Sequence, residues 1–169
     1  LIWTCSWKGA CIAFGECVAT IPDQDNDGVE DLAIGLTDFS ISGAATKLLN
    51  DSGVAIVSAK HGALLKTIGL DCSEVLAVWW IPSRSIENAG ELLCGTVGSG
   101  RVARILDVSP RTGNVVWRSP DLPNGSSFCL VARGKSDAER VIAIGCPEVA
   151  GDKPHKDKVL WVSAETGKL

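Results

Sequence analysis

The chain has 169 residues, of which 46% are apolar and 21% charged, and its formal net charge is −4 at pH 7. This composition is that of a globular domain rather than a disordered chain. The acidic balance argues against nucleic acid as a partner, because binding to phosphates requires a basic surface. No apolar run approaches the roughly 18–20 residues of a membrane-spanning helix, so no membrane span is predicted.

The first predicted unit covers about residues 14–70 and consists of four short strands rich in β-branched residues. The predicted strands are Cys17–Ile21, Asp31–Leu36, Gly53–Ser58 and Ala63–Ile68. A long loop, Thr37–Ser52, separates the second strand from the third. This loop is the best candidate for a contact surface, because binding residues tend to lie on the loops of a rigid scaffold.

The loop between the first two strands carries the clearest candidate site. Its sequence is DQDNDGVED, and its carboxylates surround Gly28, which allows a sharp turn. Oxygen ligands in this pattern are typical of a site for a hard divalent cation, above all calcium. The predicted ligands are the side chains of Asp23, Asp25, Asp27 and Asp31 and the carbonyl oxygen of Val29. A solvated acidic turn without an ion is the alternative, but its unneutralised carboxylates would repel one another.

The acidic loop differs from an EF-hand, although its first half has the same spacing. An EF-hand loop ends in a bidentate glutamate at its twelfth position, and Ile34 occupies that position here. The flanking segments also predict strands rather than helices. The ion is therefore expected to hold a loop between two strands of one sheet.

Two further units repeat this organisation, at about residues 75–120 and 126–169, and the last of them is truncated. Each unit contains a turn in which a glycine closes a chain reversal after a β-branched run. The three turns are Ser58–Gly62, Ser109–Gly113 and Ser163–Gly167. The strands predicted in the second and third units are Leu76–Ile81, Glu91–Thr96, Val102–Ser109, Asn114–Arg118, Phe128–Ala132, Arg140–Cys146 and Val159–Ser163.

A unit of short antiparallel strands recurs about every 50–60 residues. This repeat predicts an all-β fold, and in particular a β-propeller fragment of about three four-stranded blades. A β-sandwich is the alternative, but the internal repeat favours the propeller. Complete propellers have 4–8 blades, so three blades do not close a ring. We therefore expect a longer parent chain that supplies the remaining blades, together with any signal peptide, anchor or catalytic domain.

Seven cysteines are present, and an odd number cannot all pair within one chain. No CxxC occurs, and no group of cysteines and histidines has zinc-site spacing. Cys17, Cys94, Cys129 and Cys146 lie in apolar, strand-like runs. These four are expected to be small buried hydrophobic residues, and a disulfide framework is the alternative.

The first unit resembles the FG-GAP repeat of integrin α-chain propellers and their bacterial relatives. The resemblance rests on Phe14-Gly15-Glu16-Cys17-Val18-Ala19, followed by the acidic loop and the strand DLAIG. It implies calcium ligands at the five positions named above. The corresponding positions of the second copy are Ser83, Ser85, Glu87 and Glu91, and the third copy is shorter. One calcium site is therefore predicted, and not three.

The resemblance implies a non-enzymatic, calcium-stabilised module that recognises a protein or glycan ligand through its blade loops, outside the cell or at its surface. No catalytic residue is predicted. The alternative is a propeller of a quinoprotein-like or other secreted enzyme whose catalytic residues lie outside this segment. Thr112–Trp117 matches the TGxxxW element of quinoprotein propellers, but Lys66 takes the tryptophan position in the first unit. Trp117 is therefore predicted to pack between blades.

Overall fold

The computed structural model describes most of the chain as a series of β-strands. The described residues are 13–37, 52–82, 90–98, 102–122, 126–132, 140–146, 158–164 and 166–168. They contain eleven strands and no helix, so the prediction of an all-β fold is confirmed. Accordingly, this part of the chain has no apolar helix of membrane-spanning length.

The strands follow one another in three groups. The first group is β1 (Ala13–Ile21), β2 (Asp31–Thr37), β3 (Gly53–Val57) and β4 (Leu64–Gly69). The second is β5 (Glu74–Ile81), β6 (Glu91–Val97), β7 (Ala103–Val108) and β8 (Val115–Arg118), and the third is β9 (Ser127–Ala132), β10 (Arg140–Cys146) and β11 (Lys158–Ser163). The predicted bounds agree to within two residues, except that β1 begins at Ala13 rather than Cys17.

Each group forms its own antiparallel sheet, which we call the first, second and third sheet. The strand orders are β1-β2-β3-β4, β5-β6-β7-β8 and β9-β10-β11. Within each sheet, strands that are consecutive in sequence pair with one another, as in a meander. Leu32 at the start of β2 lies opposite Val57 at the end of β3. This register places the loop that precedes β2 and the turn that follows β3 at the same end of the first sheet.

Two apolar cores lie between consecutive sheets. The first core lies between the first and second sheets, and its fully buried residues include Val54, Val75, Leu92, Cys94 and Val108. The second core, between the second and third sheets, has Leu93, Ile105, Ile142, Ile144 and Val162. Leu92 and Leu93 are adjacent on β6 and face different cores, because side chains alternate along a strand. The second sheet is therefore buried on both faces.

The three predicted turns share one geometry. In each turn the glycine N–H donates a hydrogen bond to the carbonyl of the first serine, over 2.8 Å at Gly62 and Gly113 and 2.9 Å at Gly167. All three glycines have positive φ, at 69°, 77° and 65° respectively. This backbone region costs an L-residue with a side chain about 1–2 kcal/mol, which explains the glycine at every turn.

The turn of each later unit contacts the last described strand of the unit before it. The Lys66 ammonium group on β4 donates hydrogen bonds to the carbonyls of Pro110 (3.0 Å) and Arg111 (2.7 Å) in the second turn. The Trp117 ring on β8 packs in the second core, against Gly167 of the third turn. Lys66 and Trp117 occupy equivalent positions in their units, so different side chains make the same kind of contact. Trp117 packs between two sheets, as predicted.

Gly167→Ala is expected to lower the free energy of unfolding by more than Gly113→Ala does. Both variants place a side chain at positive φ, at a cost of about 1–2 kcal/mol. A Cβ at position 113 would make only ordinary contact, 3.7 Å from an Ile68 methyl carbon. A Cβ at position 167 would overlap the Trp117 ring, which should add about 1 kcal/mol. Urea unfolding curves of both variants check this, and equal losses would contradict the contribution of the ring.

Cys129 is exposed, contrary to the prediction that it is a buried residue. Its neighbours Phe128 and Leu130 pack against the second core, so the cysteine lies on the opposite face of β9. Cys94 is buried, as predicted, and Cys17 is half-buried. Residues 38–51 of the long loop, and the later copies of the acidic loop at 83–89 and 133–139, lie outside the described residues.

Candidate metal centre

The loop between β1 and β2 gathers three of the four predicted carboxylates. One oxygen each from Asp23, Asp25 and Asp27 lie within 4.8 Å of one another. Asp23 and Asp27 are half-buried, and Asp25 is exposed. This is the only such group of metal-ligating side chains in the described ranges.

Asp23 organises the loop by accepting hydrogen bonds from backbone N–H groups. Its Oδ1 accepts from Asn26 (2.6 Å) and, at 3.2 Å each, from Asp25 and Asp27. Its Oδ2 accepts from Gly28 (2.8 Å). These bonds, that of Gly28 first, lower the pKa of Asp23 below its ordinary value. The carboxylate is therefore held in its charged form.

The loop reverses direction through two residues in the left-handed region. Asn26 has φ 63° and Gly28 has φ 85°. Asparagine tolerates this conformation better than most residues, and glycine adopts it without steric cost. A Cβ at position 28 would have no atom within 4 Å, so the glycine serves the backbone conformation rather than a close contact. The NDG sequence thus explains why the carboxylates converge.

Asp27 ties the loop to the turn between β3 and β4. Its Oδ1 accepts a hydrogen bond from the Val29 N–H (2.9 Å), and its Oδ2 lies 3.4 Å from the Ser58 hydroxyl and 3.6 Å from Nε2 of His61. The Lys60 ammonium group donates to the Asp27 carbonyl over 2.9 Å. The Asp27 side chain is 12% exposed as a result.

Sequence reasoning missed these turn residues, Ser58, Lys60 and His61, as neighbours of the site. They were identified only as part of a repeated turn. The missed signal was topological. In a meander, the loop before the second strand and the turn after the third strand lie at the same end of the sheet.

Asp31 lies outside the group of three. It is the first residue of β2 and is fully buried. Its Oδ2 accepts a hydrogen bond from the Gln24 N–H (2.7 Å), and its Oδ1 accepts from the Ala59 N–H (3.3 Å). Asp31 thus braces the start of the acidic loop against the β3–β4 turn. Direct ligation by Asp31 and by the Val29 carbonyl stays a prediction.

The donor set of the loop fits a hard divalent cation. The three gathered ligands are carboxylate oxygens, which suit calcium or magnesium better than softer metals. The Asp25 carboxylate, the most exposed of them, accepts one backbone N–H, from Asp27 at 3.2 Å. A carboxylate offers about four acceptor positions, so these hydrogen bonds leave lone pairs for an ion.

The described cysteines of the first core are protonated thiols. Burial is the main cause in each case, and it raises the pKa of Cys17 to about 11 and that of Cys72 to about 12. It also raises the pKa of Cys94, the most deeply buried of the three. A thiol is a nucleophile only as its thiolate, so these residues suit packing rather than catalysis.

An open groove of about 610 Å³ runs along the first strands of the three sheets. Trp79 and Trp80 of β5 line it, with Thr20 of β1 and Leu130 of β9 among their neighbours. Among the residues that the structure describes, its lining is mostly apolar and contains no titratable side chain.

A scan of the chain against known protein families gives no match, and a search of curated proteins finds no similar sequence. The functional argument therefore rests on the acidic loop, its neighbouring turn and the stacked sheets.

Proposed function

We propose that the chain is a calcium-stabilised interaction module of the β-propeller type. The observation that carries this proposal is the convergence of Asp23, Asp25 and Asp27 within 4.8 Å, in a loop braced by backbone N–H groups. Three carboxylates this close repel one another strongly, and a divalent cation removes that repulsion. A bound calcium ion would supply positive charge to the loop, and the role we propose for it is structural.

The residues around the ion would transmit its effect to the first sheet. Asp23 holds the loop backbone, Asp25 and Asp27 offer oxygens, and Asp31 anchors the entrance to β2. Lys60 and Ser58 connect the loop to the next turn, so ordering the loop orders that end of the sheet. Sites with few protein ligands bind calcium modestly and suit millimolar extracellular calcium. We accordingly place the module outside the cell or at its surface.

The propeller part of the proposal is supported by three consecutive meander sheets that pack face to face through two cores. The repeated turns and the resemblance to FG-GAP repeats support the same architecture. In it, the remaining blades belong to the parent chain. Loops cluster on the faces of a propeller, and a protein or glycan ligand would bind there.

Calorimetry with calcium chloride tests the proposal on the 169-residue chain. We expect binding, and an unfolding midpoint that is higher in calcium than in EGTA. Calcium at about 100 times its Kd should stabilise the fold by about 2.7 kcal/mol. An absence of heat together with equal midpoints would overturn the proposal.

Asp25→Asn should weaken calcium binding about tenfold or more, equivalent to about 1.4 kcal/mol. The side chain is exposed and accepts a single backbone hydrogen bond from the described residues, that of the Asp27 N–H, so the fold in EGTA should be little changed. Glu30→Gln is the matched control, because Glu30 is an exposed carboxylate of the same loop outside the gathered group. Equal calcium affinities in the two variants would argue against the site.

A further inference from the structure

The acidic loop has a basic side chain of the next turn beside it. The Lys60 ammonium group donates a hydrogen bond to the carbonyl oxygen of Asp27 over 2.9 Å. His61 of the same turn lies near the Asp27 carboxylate but is charged only when protonated, so Lys60 is the permanent cation of this contact. The loop that it contacts carries the gathered carboxylates of Asp23, Asp25 and Asp27. A fixed positive charge beside these groups offsets part of their mutual repulsion.

The Lys60 ammonium group occupies none of the predicted ligand positions. Its acceptor is the backbone carbonyl of Asp27, whereas the predicted ligands are carboxylates and the carbonyl of Val29. The Lys60 side chain is also exposed, so no packing forces it against the carboxylates. Lys60 can therefore keep its place when an ion enters the loop. It then lies next to a second cation, and like charges repel.

The charge at this turn position follows the charge of the segment before the second strand. Counted back from the glycine of each turn, Lys60 corresponds to Arg111 and Glu165. Segment 23–31 has five acidic residues and no basic one, and segment 83–91 has two acidic residues and one basic. Segment 133–141 has three basic residues and two acidic ones. In each unit the turn residue is opposite in sign to its segment, as an electrostatic role requires.

We propose that Lys60 is the internal counter-cation of the acidic loop, which stabilises the loop without an ion and lowers its affinity for calcium. This inference rests on the proposed calcium site and adds to it a residue that opposes the ion. The coupling is reciprocal: calcium must weaken the contribution of Lys60 to stability by the same factor by which Lys60 weakens calcium binding.

Calcium titrations of the 169-residue chain by calorimetry at low salt test the proposal. Lys60→Gln and Lys60→Met should each bind calcium about three- to tenfold more tightly than the natural chain, as expected when a like charge near water is removed. Lys60→Arg keeps the charge and should bind within about twofold of the natural chain. Arg111→Gln is the matched control, because it removes one positive charge from the equivalent exposed position of the second turn. Its calcium affinity should equal that of the natural chain.

The two uncharged variants separate a charge effect from a purely mechanical one. Glutamine keeps an N–H donor for the Asp27 carbonyl, and methionine has none. If Lys60 only held the loop in place, Lys60→Met would weaken calcium binding and Lys60→Gln would not strengthen it, and this result would overturn the proposal. The gain in affinity should also shrink in about 0.5 M potassium chloride, because salt screens exposed charges.

Unfolding midpoints supply the second readout. In EGTA both uncharged variants should unfold at lower midpoints than the natural chain, and in saturating calcium this difference should shrink, as reciprocity requires. Equal calcium affinities for the natural chain, Lys60→Gln and Lys60→Met would overturn this proposal and leave the calcium site standing. An absence of calcium binding by the natural chain would overturn the calcium site and this proposal together.

Discussion

At pH 8 the Asp107→Asn variant is expected to have a higher free energy of unfolding than the natural chain, whereas at pH 4 the two should be nearly equal. Asp107 on β7 is 1% exposed, and both of its carboxylate oxygens are buried and make no hydrogen bond of good geometry with the described residues, although Glu91, the Val108 N–H and Trp117 are near enough to affect its pKa. Burial, followed by the nearby charge of Glu91, raises the pKa of Asp107 to about 8. The folded chain therefore keeps a proton there that the unfolded chain loses near pH 4.

The sign of the effect follows from the proton balance. Between about pH 4 and pH 8 the folded state binds more protons than the unfolded state, so stability falls as the pH rises through this window. The contribution is fully present below the ordinary pKa of 3.8 and is lost as the pH passes through about 8. Asparagine resembles the protonated acid and does not titrate. Each unit of difference between the folded and unfolded pKa contributes at most about 1.4 kcal/mol. The variant should therefore be more stable at pH 8 by on the order of 3 kcal/mol, which is below the limit set by the whole shift from 3.8 to about 8.

Denaturant unfolding at several pH values, with natural chain and variant compared pairwise, measures this difference. Glu91→Gln should remove part of the slope, because it removes the neighbouring charge and leaves the burial. Asp71→Asn is the matched control, since Asp71 is exposed and should leave the slope unchanged. Parallel curves for Asp107→Asn and the natural chain would contradict the buried, protonated state of Asp107.

The strands and turns were predictable because each is encoded locally. Short β-branched runs between turn residues fixed the strand positions, and glycine at positive φ fixed the three reversals at Gly62, Gly113 and Gly167. The convergence of Asp23, Asp25 and Asp27 was likewise predictable, because one short loop contains all three and Gly28 turns it.

Contacts between elements were not predictable from local pattern. Asp31 has the spacing of a ligand, but its place at the start of β2 buries it against the Ala59 N–H of a distant turn. A charged residue such as Asp107 would be expected at the surface. It is buried in the fold because the third sheet covers that side of β7. The exposure of Cys129 depends on which face of β9 packs against the second core. The alternation of side chains along a strand shows that the strand has two faces, but packing against another sheet decides which face is covered.

Leu93→Ala is expected to lower the free energy of unfolding by about 2–5 kcal/mol, through lost burial and the cavity that remains. Leu93 is 0% exposed in the second core, whereas Leu76 on β5 is 39% exposed and provides a matched control of the same residue type. Leu76→Ala should cost well under half as much, because a partly exposed side chain loses less buried surface.

Leu92→Ala makes the same truncation on the other face of β6, in the first core, where Leu92 is also 0% exposed. Because the second sheet belongs to both cores, both substitutions should lower the midpoint of one shared urea transition. If the sheets instead unfolded as independent neighbours, Leu93→Ala would split the transition and leave the first core at its original midpoint. A loss for Leu93→Ala no larger than that for Leu76→Ala would contradict the second core itself. A shared transition would show that a change at the third sheet reaches the first sheet, and with it the acidic loop, through the second sheet.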